Sequence, residues 1–253
     1  MNKKWMALVT AAILLLGIFS GCNKQDSANG DKKLVMATSA DYAPFEYMDT
    51  KKGDEIIGFD IDLAKKITEN LGYELEIKNM DFKGVIPAVT QKQADFALSG
   101  INPNPERAKS VDFSVPYYKS KHSVVFLENT NLQSQEDLKG KVVGVQLGST
   151  QEAIADNLKD VKIEKRNKIP ELVQEIKSSR MDAALIEESV AKGYLESDQN
   201  LKSFLLPDSE DVNYVIAFQK DSELKEQFDK EIKKLQENGE LQKLQDKWFS
   251  KQQ

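Results

Sequence analysis

The chain has 253 residues, of which 35 are Lys or Arg and 41 are Asp or Glu, and its formal net charge is −6. This acidic balance, with no basic stripe, argues against a nucleic-acid partner. Only one histidine, His122, and one cysteine, Cys22, are present. A histidine-based triad or multi-histidine metal site is therefore nearly excluded. No motif supports carboxylate-only catalysis, so we predict neither catalytic residues nor a metal or cofactor.

The first residues predict an export signal. Two lysines precede an apolar run at 5–19, and Ser20-Gly21-Cys22 follows. The run is short for a transmembrane span of about 20 residues, whereas small residues before a cut site are typical of a signal peptide. Because Ser-Gly-Cys resembles a bacterial lipobox, we predict removal of residues 1–21 and palmitate on Cys22. Phe19 departs from the lipobox, which has an aliphatic residue at that position.

A polar segment, 22–33, lacks aromatic residues and is predicted to be a flexible tether. Together with the lipid, it would hold the mature protein at the extracytoplasmic face of a cell membrane. The next part of the chain alternates between strand and helix patterns. Strands are predicted at 34–38, 74–78 and 94–99, and helices from Asp60 to Gly72, at 84–91 and at 105–109. Asp60 is the predicted cap of the first helix, and Pro87 is predicted in the first turn of the second.

The alternation continues through the second half of the chain. Strands are predicted at 141–146, 161–165, 182–186 and 213–218, and helices at 150–158, 170–178, 188–195, 222–238 and 240–249. This pattern predicts two α/β lobes, with the second inserted into the first. The predicted bounds are 34–116 and 215–253 for lobe 1, 122–209 for lobe 2, and 117–121 and 210–214 for the strands that cross between them.

Several short motifs occur in a characteristic order along nearly the whole mature chain. They are Ala37–Glu46, Gly58–Ala64, Asp81–Ala88, Ala97–Gly100, Pro105–Lys109, Val111–Ser114, Val145–Gln151, Met181–Leu185 and Lys247–Phe249. In this order they resemble the polar amino-acid family of solute-binding proteins, which is family 3 of the bacterial extracellular solute-binding proteins. The resemblance implies a type II periplasmic-binding-protein fold, with two hinge strands and a ligand cleft between the lobes.

The resemblance also implies sites for the two charged groups of a free amino acid. Arg107 would bind the carboxylate with two parallel N–H groups, although an arginine in a solvated surface helix is the alternative. Ser149 and Thr150 open a helix after a glycine turn, where N–H groups and the helix dipole favour the same anion. Simple N-capping by these two residues is compatible with that role.

An acidic residue of the family, often Asp, corresponds to Glu187 and would bind the ligand's ammonium group. The next residue, Glu188, is the alternative. Further hydrogen bonds to the ligand are assigned to Ser99, Gly100 and Asn102.

Two aromatic positions, Tyr42 and Phe82, would sandwich the ligand's side chain, with core packing as the alternative. Ser39 would also line the site, but several relatives that bind cationic or amide side chains have Asp at this position. Asp41 or Glu46 is the candidate to compensate for that charge.

The function implied by the resemblance is capture of a free, polar L-amino acid, such as arginine, by hinge closure. The monomeric protein would then deliver its ligand to the permease and ATPase subunits of an ABC importer. An amino-acid sensor or adhesin, and a dehydratase-like enzyme on the same fold, remain as alternatives. We expect no enzyme activity because no acid or base beyond Glu187 stands out.

Overall fold

A computed structural model describes residues 32–207 and 212–249. The predicted signal peptide, Cys22, most of the predicted tether and part of the second predicted crossing therefore lie outside the described residues. Within the described ranges, none of the helices combines the length and the hydropathy needed to span a bilayer.

The described strands and helices alternate along the chain. The strands are Lys32–Thr38 (β1), Asp41–Tyr42 (β2), Glu46–Asp49 (β3), Glu55–Ile57 (β4), Tyr73–Asn79 (β5), Phe96–Ala97 (β6), Val111–Phe113 (β7), Tyr118–Ser120 (β8), His122–Leu127 (β9), Val142–Gln146 (β10), Lys162–Arg166 (β11), Ala183–Glu187 (β12), Leu201–Leu205 (β13), Val212–Tyr214 (β14) and Ala217–Gln219 (β15). The helices are Phe59–Leu71 (α1), Phe82–Thr90 (α2), Thr150–Ala155 (α3), Ile169–Lys177 (α4), Glu188–Ser197 (α5), Glu223–Glu237 (α6) and Glu240–Phe249 (α7).

Two five-stranded sheets form the centres of two lobes, which confirms the predicted two-lobe α/β fold. The sheet of lobe 1 has the order β5-β1-β6-β15-β7, and that of lobe 2 has the order β11-β10-β12-β9-β13. In both sheets the strands that are linked through helices run parallel, as β1 does to β5 and β10 does to β11. The last strand of lobe 1, β15, comes after all the strands of lobe 2, so lobe 2 is an insertion between strands of the lobe 1 sheet.

A separate antiparallel pair, β8 and β14, joins the lobes, with Tyr118 opposite Tyr214. The single predicted strand at 213–218 is thus two strands, β14 and β15, because the chain passes there from the crossing pair into the lobe 1 sheet. Aromatic rings surround the pair: Phe249 of α7 stacks on Tyr118 at 4.8 Å between ring centroids, and Phe45 lies 4.8 Å from Tyr214. These rings pack the C-terminal helix against the connection between the lobes.

Other predicted elements shift at their ends. Helix α2 begins at Phe82, so Pro87 lies inside the helix and not in its first turn. Strand β6 has two residues where six were predicted. The segment predicted as a loop at 39–49 contains β2 and β3, which pair with each other in a small sheet with β4.

The predicted cap of α1 is wrong. Gly58 is the N-cap, and a Cβ there would lie 2.0 Å from the carbonyl oxygen of Phe45, so that a side chain has no room. Asp60 is the second residue of the helix, and its side chain is fully buried. Its Oδ2 accepts hydrogen bonds from the Gly100 N–H at 3.0 Å and the Tyr117 hydroxyl at 2.8 Å. Tertiary bonds therefore override the capping tendency of Asp at this position.

A second buried carboxyl, Glu46, lies beside Asp60, and the two side chains interact directly. Glu46 Oε2 and Asp60 Oδ1 are buried, and neither receives a hydrogen bond from any N–H or O–H group of the described residues. Two carboxylates so close together repel each other, so ionisation of both is unfavourable. Burial raises the pKa of Asp60 to about 6 and that of Glu46 well above its usual value. We infer that the pair shares a proton at neutral pH.

We predict that Asp60→Asn stabilises the protein at neutral pH but not at acidic pH. A raised carboxyl pKa stabilises the fold below the unfolded-state pKa and loses that contribution as the pH rises through about 6. The amide retains an acceptor for Gly100 and does not titrate. The melting temperature should rise by roughly 3–8 °C at pH 7.5 and stay nearly unchanged at pH 4.

The matched control is Asp95→Asn, in which a half-buried carboxylate also accepts a backbone N–H, that of Val35 at 2.7 Å. This change should not raise the melting temperature. An equal shift of the melting temperature for Asp60→Asn at both pH values would contradict proton sharing.

Candidate functional site

A cavity lies between the two lobes. It is lined from lobe 1 by Ser39, Asp41, Tyr42, Glu46, Phe82, Ser99, Gly100 and Asn102, and from lobe 2 by Gln146, Ser149, Gln151, Ile169, Leu185, Ile186 and Glu187. The empty space among these residues is about 380 Å³, part of it open to solvent, and direct hydrogen bonds join its two walls. The walls are close together, so a ligand of amino-acid size enters only if the lobes part or side chains rearrange.

Arg107 bridges the lobes at the rim of the cavity. Its Nη1 donates to the carbonyl oxygen of Asn102 at 2.6 Å, and its Nη2 donates across the cleft to the carbonyl oxygen of Gly148 at 2.9 Å. The guanidinium carbon lies 5.4 Å from the centroid of the Phe82 ring, in a cation–π contact. Burial lowers the pKa of Arg107 to about 10, so the side chain remains a cation at neutral pH.

Glu187 ends strand β12 at the lobe 2 wall of the cavity and is 1% exposed. Its Oε1 accepts a hydrogen bond from Gln151 Nε2 at 3.2 Å. Its Oε2 is buried and accepts no hydrogen bond from the described residues. Burial raises the pKa of Glu187 to about 8, against the opposing effect of the nearby polar groups of Asn102, Gln151 and Tyr42. A cation placed at Oε2 would favour the ionised form of this carboxyl.

The alternative to Glu187 is poorly placed. The side chain of Glu188 is exposed and does not line the cavity. Its backbone N–H donates to the carbonyl oxygen of Lys121, at the start of helix α5. The geometry therefore favours Glu187 for an interaction inside the cleft.

The turn before α3 is partly occupied by contacts of its own. Ser149 is the N-cap of α3 and accepts the Glu152 N–H at 3.1 Å, while the Gly148 N–H donates to the Glu152 carboxylate. The hydroxyl of Thr150 donates across the cleft to Asn102 Oδ1 at 2.7 Å. The backbone N–H groups of Thr150 and Gln151 have no acceptor among the described residues, and they remain available to an anion.

The small residues of lobe 1 form the opposite wall. Ser99 accepts the Ser39 N–H at 2.9 Å and donates to Glu46 at 2.8 Å, so its hydroxyl is already bonded. Gly100 has a φ of 52°, and a Cβ there would lie 2.9 Å from the Tyr42 ring, so a larger residue would displace that ring. Both aromatic residues, Tyr42 and Phe82, line the cavity, and Tyr42 also packs against Phe45 at 5.9 Å.

Asp41, a candidate to replace the charge missing at Ser39, reaches across the cleft. Its Oδ1 accepts the Ser39 hydroxyl at 2.7 Å. Its Oδ2 accepts the Ile169 N–H at 2.8 Å and Gln146 Nε2 at 3.1 Å, both from lobe 2. The other candidate, Glu46, lines the cavity but is paired with Asp60.

The structure thus brings the ten predicted ligand-binding residues to one cleft, with Arg107 and Thr150 at its rim rather than in the cavity wall. Sequence reasoning missed five lining residues of lobe 2: Gln146, Gln151, Ile169, Leu185 and Ile186. Gln151 also faces His122 Nδ1 at 3.3 Å, and burial lowers the pKa of that histidine to about 4. His122 is therefore neutral and structural. Gln146 and Gln151 lie within a motif that was recognised as a whole, but only the fold shows where each amide points.

Comparison with known proteins shows the family to which the chain belongs. Residues 34–251 match the family model of bacterial extracellular solute-binding proteins, family 3. The arginine-binding extracellular protein ArtP of Bacillus subtilis is 49% identical over 254 residues, covering 98% of both chains. A probable histidine-binding protein of Campylobacter jejuni is 32% identical, covering 86% of this chain and 85% of that protein.

Solved structures show the same fold. The amino acid ABC transporter substrate-binding protein AbpA of Streptococcus pneumoniae, bound to L-arginine, is 42% identical with a TM-score of 0.83, covering 87% of this chain and 95% of that one. The arginine-, lysine-, histidine-binding protein ArtJ of Geobacillus stearothermophilus is 30% identical with a TM-score of 0.82, covering 87% and 96%. From its motifs, its two lobes and the family match along nearly all of the described chain, this protein belongs to family 3 of the bacterial extracellular solute-binding proteins.

Proposed function

We propose that the protein captures a free L-amino acid with a cationic side chain, arginine first among them, and passes it to an ABC importer. The observation that carries this proposal is the buried, unpaired Oε2 of Glu187 in an interlobe cavity. A buried carboxylate oxygen without a hydrogen-bond donor is costly, and an ammonium group of the ligand would satisfy it. Relatives named for arginine and histidine binding support the choice of ligand class.

The proposed ligand would lie across the cleft, with its two α-substituents on different lobes. Its ammonium group would contact Glu187. Its carboxylate would contact Arg107 and the free N–H groups at Thr150. Arg107 would then donate to the carboxylate oxygens in place of one of its carbonyl partners. Because these groups come from both lobes, only the closed arrangement completes the set, and binding energy stabilises closure.

The cationic side chain is favoured by the charge and shape of the cavity. Besides Asp41, whose oxygens are bonded to protein groups, Glu46 and Glu187 line it, and no lysine or arginine does so among the described residues. The rings of Tyr42 and Phe82 add surfaces on which a guanidinium plane can stack. Ser39, Ser99, Gly100, Asn102 and Ser149 would shape the remaining wall. No chemistry on the ligand is part of this proposal.

The transport cycle adds further proposed features. Residues 117–121 and 210–214 would act as the hinge strands, between lobe 1 at 34–116 and 215–253 and lobe 2 at 122–209. Signal peptidase would remove residues 1–21, and the lipid on Cys22 with the tether 22–33 would hold a monomeric receptor on the outer face of the cell membrane. Such a tether raises the receptor's effective concentration near the permease and ATPase subunits.

Calorimetry against the proteinogenic L-amino acids and cystine tests the proposed ligand class. We expect the Cys22-lacking soluble form to bind arginine most tightly and acidic amino acids not at all, because the cavity is lined by carboxyls. Failure of every amino acid to bind would refute the proposed function.

Ligands that lack one α-substituent test the roles of Arg107 and Glu187. Agmatine lacks the carboxylate of arginine, and δ-guanidinovaleric acid lacks its ammonium group. We expect Arg107→Ala to weaken arginine binding roughly 100-fold or more. Agmatine binding should be nearly the same in this variant as in the wild type. Glu187→Gln should likewise weaken arginine binding but leave δ-guanidinovaleric acid nearly unaffected.

Titration calorimetry gives both comparisons, and thermal melting in the absence of ligand serves as the control. Melting temperatures of the two variants should stay close to that of the wild type. An equal loss for all three ligands would show that the two side chains do not contact the α-substituents.

Labelling with radioactive palmitate tests the anchor. We expect label in the wild-type chain expressed in its host and none in Cys22→Ser, because Cys22 is the only thiol in the sequence. Equal labelling of both chains, or of neither, would contradict acylation at Cys22.

A further inference from the structure

One carboxylate in the cleft has all of its contacts within the protein. Asp41 belongs to β2 of lobe 1, yet its Oδ2 receives two hydrogen bonds from lobe 2, from the Ile169 N–H and from Gln146 Nε2. Its Oδ1 receives the Ser39 hydroxyl. Asp41 therefore lines the cavity without an oxygen left unbonded, in contrast to Glu187.

The lobe 2 side of this contact is well suited to a carboxylate. Ile169 is the first residue of α4, a helix of nine residues, so its N–H is one of those that the helix itself cannot bond. Burial raises the pKa of Asp41, whereas the positive end of the helix dipole and the nearby Lys168 favour its ionised form. Gln146 is 4% exposed, and its Nε2 also donates to the carbonyl oxygen of Asn167 at 3.1 Å, which fixes the direction of its amide.

The other polar contacts across the cleft involve groups that the proposed ligand would engage. Arg107 donates to Gly148 and Thr150 donates to Asn102, and both would rearrange around an amino acid. The Asp41 contact has no such competitor, because its donors are a helix N–H and a fixed amide. The Asp41 hydrogen bonds can therefore form when the lobes close and break when they open, without a ligand.

We propose that Asp41 is an interlobe latch, a positioning residue that stabilises the closed arrangement through Ile169 and Gln146 without contacting the ligand. This inference rests on the proposed capture by closure. The latch sets the fraction of protein in the binding-competent arrangement, and apparent affinity scales with that fraction. Loss of the latch therefore lowers the affinity for every ligand by one common factor, whereas loss of a side-chain contact lowers it for cationic ligands only.

The latch is tested by measuring opening and affinity in the same variants. Spin labels at Lys65→Cys in lobe 1 and Lys159→Cys in lobe 2, both at exposed positions, report the distance between the lobes in the full chain carrying Cys22→Ser, purified in detergent. Without ligand, Asp41→Ala should increase the population of long distances. Asp41→Asn should increase it less, because the amide oxygen still accepts a hydrogen bond.

Affinities for arginine and for glutamine, a neutral probe of similar length, complete the test. Asp41→Ala should weaken both by the same factor, roughly tenfold or more, because it removes two charge-assisted hydrogen bonds across the cleft. A loss confined to arginine, or an unchanged distance distribution, would overturn the latch. Opening without ligand together with failure of both amino acids to bind would refute the proposed function but not the latch.

Two further variants guard against a general loss of structure. Asp182→Ala removes a carboxylate that accepts the Val142 N–H at 2.8 Å within lobe 2, and it should leave the distances unchanged. If Asp41→Ala does not fold, Gln146→Leu removes one donor of the latch from the other lobe. It should open the lobes, and unchanged distances in this variant would also overturn the proposal.

Discussion

A buried carboxylate that lacks a partner for one oxygen is the constraint on which the site depends. Glu187 stands at the end of a central strand of lobe 2, where the sheet and Gln151 hold its direction. Burial makes its charge costly, which raises its pKa to about 8. In the proposed complex a cation from the ligand offsets that cost, so the same feature that destabilises the free site would favour the bound one.

The second constraint is that the groups around this carboxylate belong to two lobes. The chain leaves lobe 1 through β8 and returns through β14, and aromatic rings from the C-terminal helix pack around that pair. Contacts across the cleft, from Arg107, Asn102 and Asp41, can therefore form together when the lobes meet. Ligand contacts and latch contacts then contribute to the same closed arrangement, and each strengthens the effect of the other.

Much of this could be predicted from the chain because its motifs are local. The strand-helix alternation indicated two α/β lobes, and the ordered motifs placed Arg107, Tyr42 and Glu187 at one cleft. Exact element ends were less predictable. Asp60 has the side chain of a helix cap, yet buried bonds to Gly100 and Tyr117 outweigh that local preference.

The latch could not be predicted because it joins residues 128 positions apart. Its donor is a backbone N–H, which every residue except proline carries, so Ile169 gives no sequence signal. Gln146 and Gln151 are likewise ordinary polar residues until the fold directs their amides to Asp41 and Glu187. Such roles depend on how the two lobes meet and not on residue type.

The central claim is that a ligand ammonium group completes the hydrogen bonding of Glu187 across the cleft. A crystal structure of the protein with L-arginine tests this most directly. We expect the α-ammonium group within hydrogen-bonding distance of Glu187 Oε2 and the carboxylate at Arg107 and the Thr150 N–H. Arginine bound outside the interlobe cavity, or with its ammonium group away from Glu187, would contradict it.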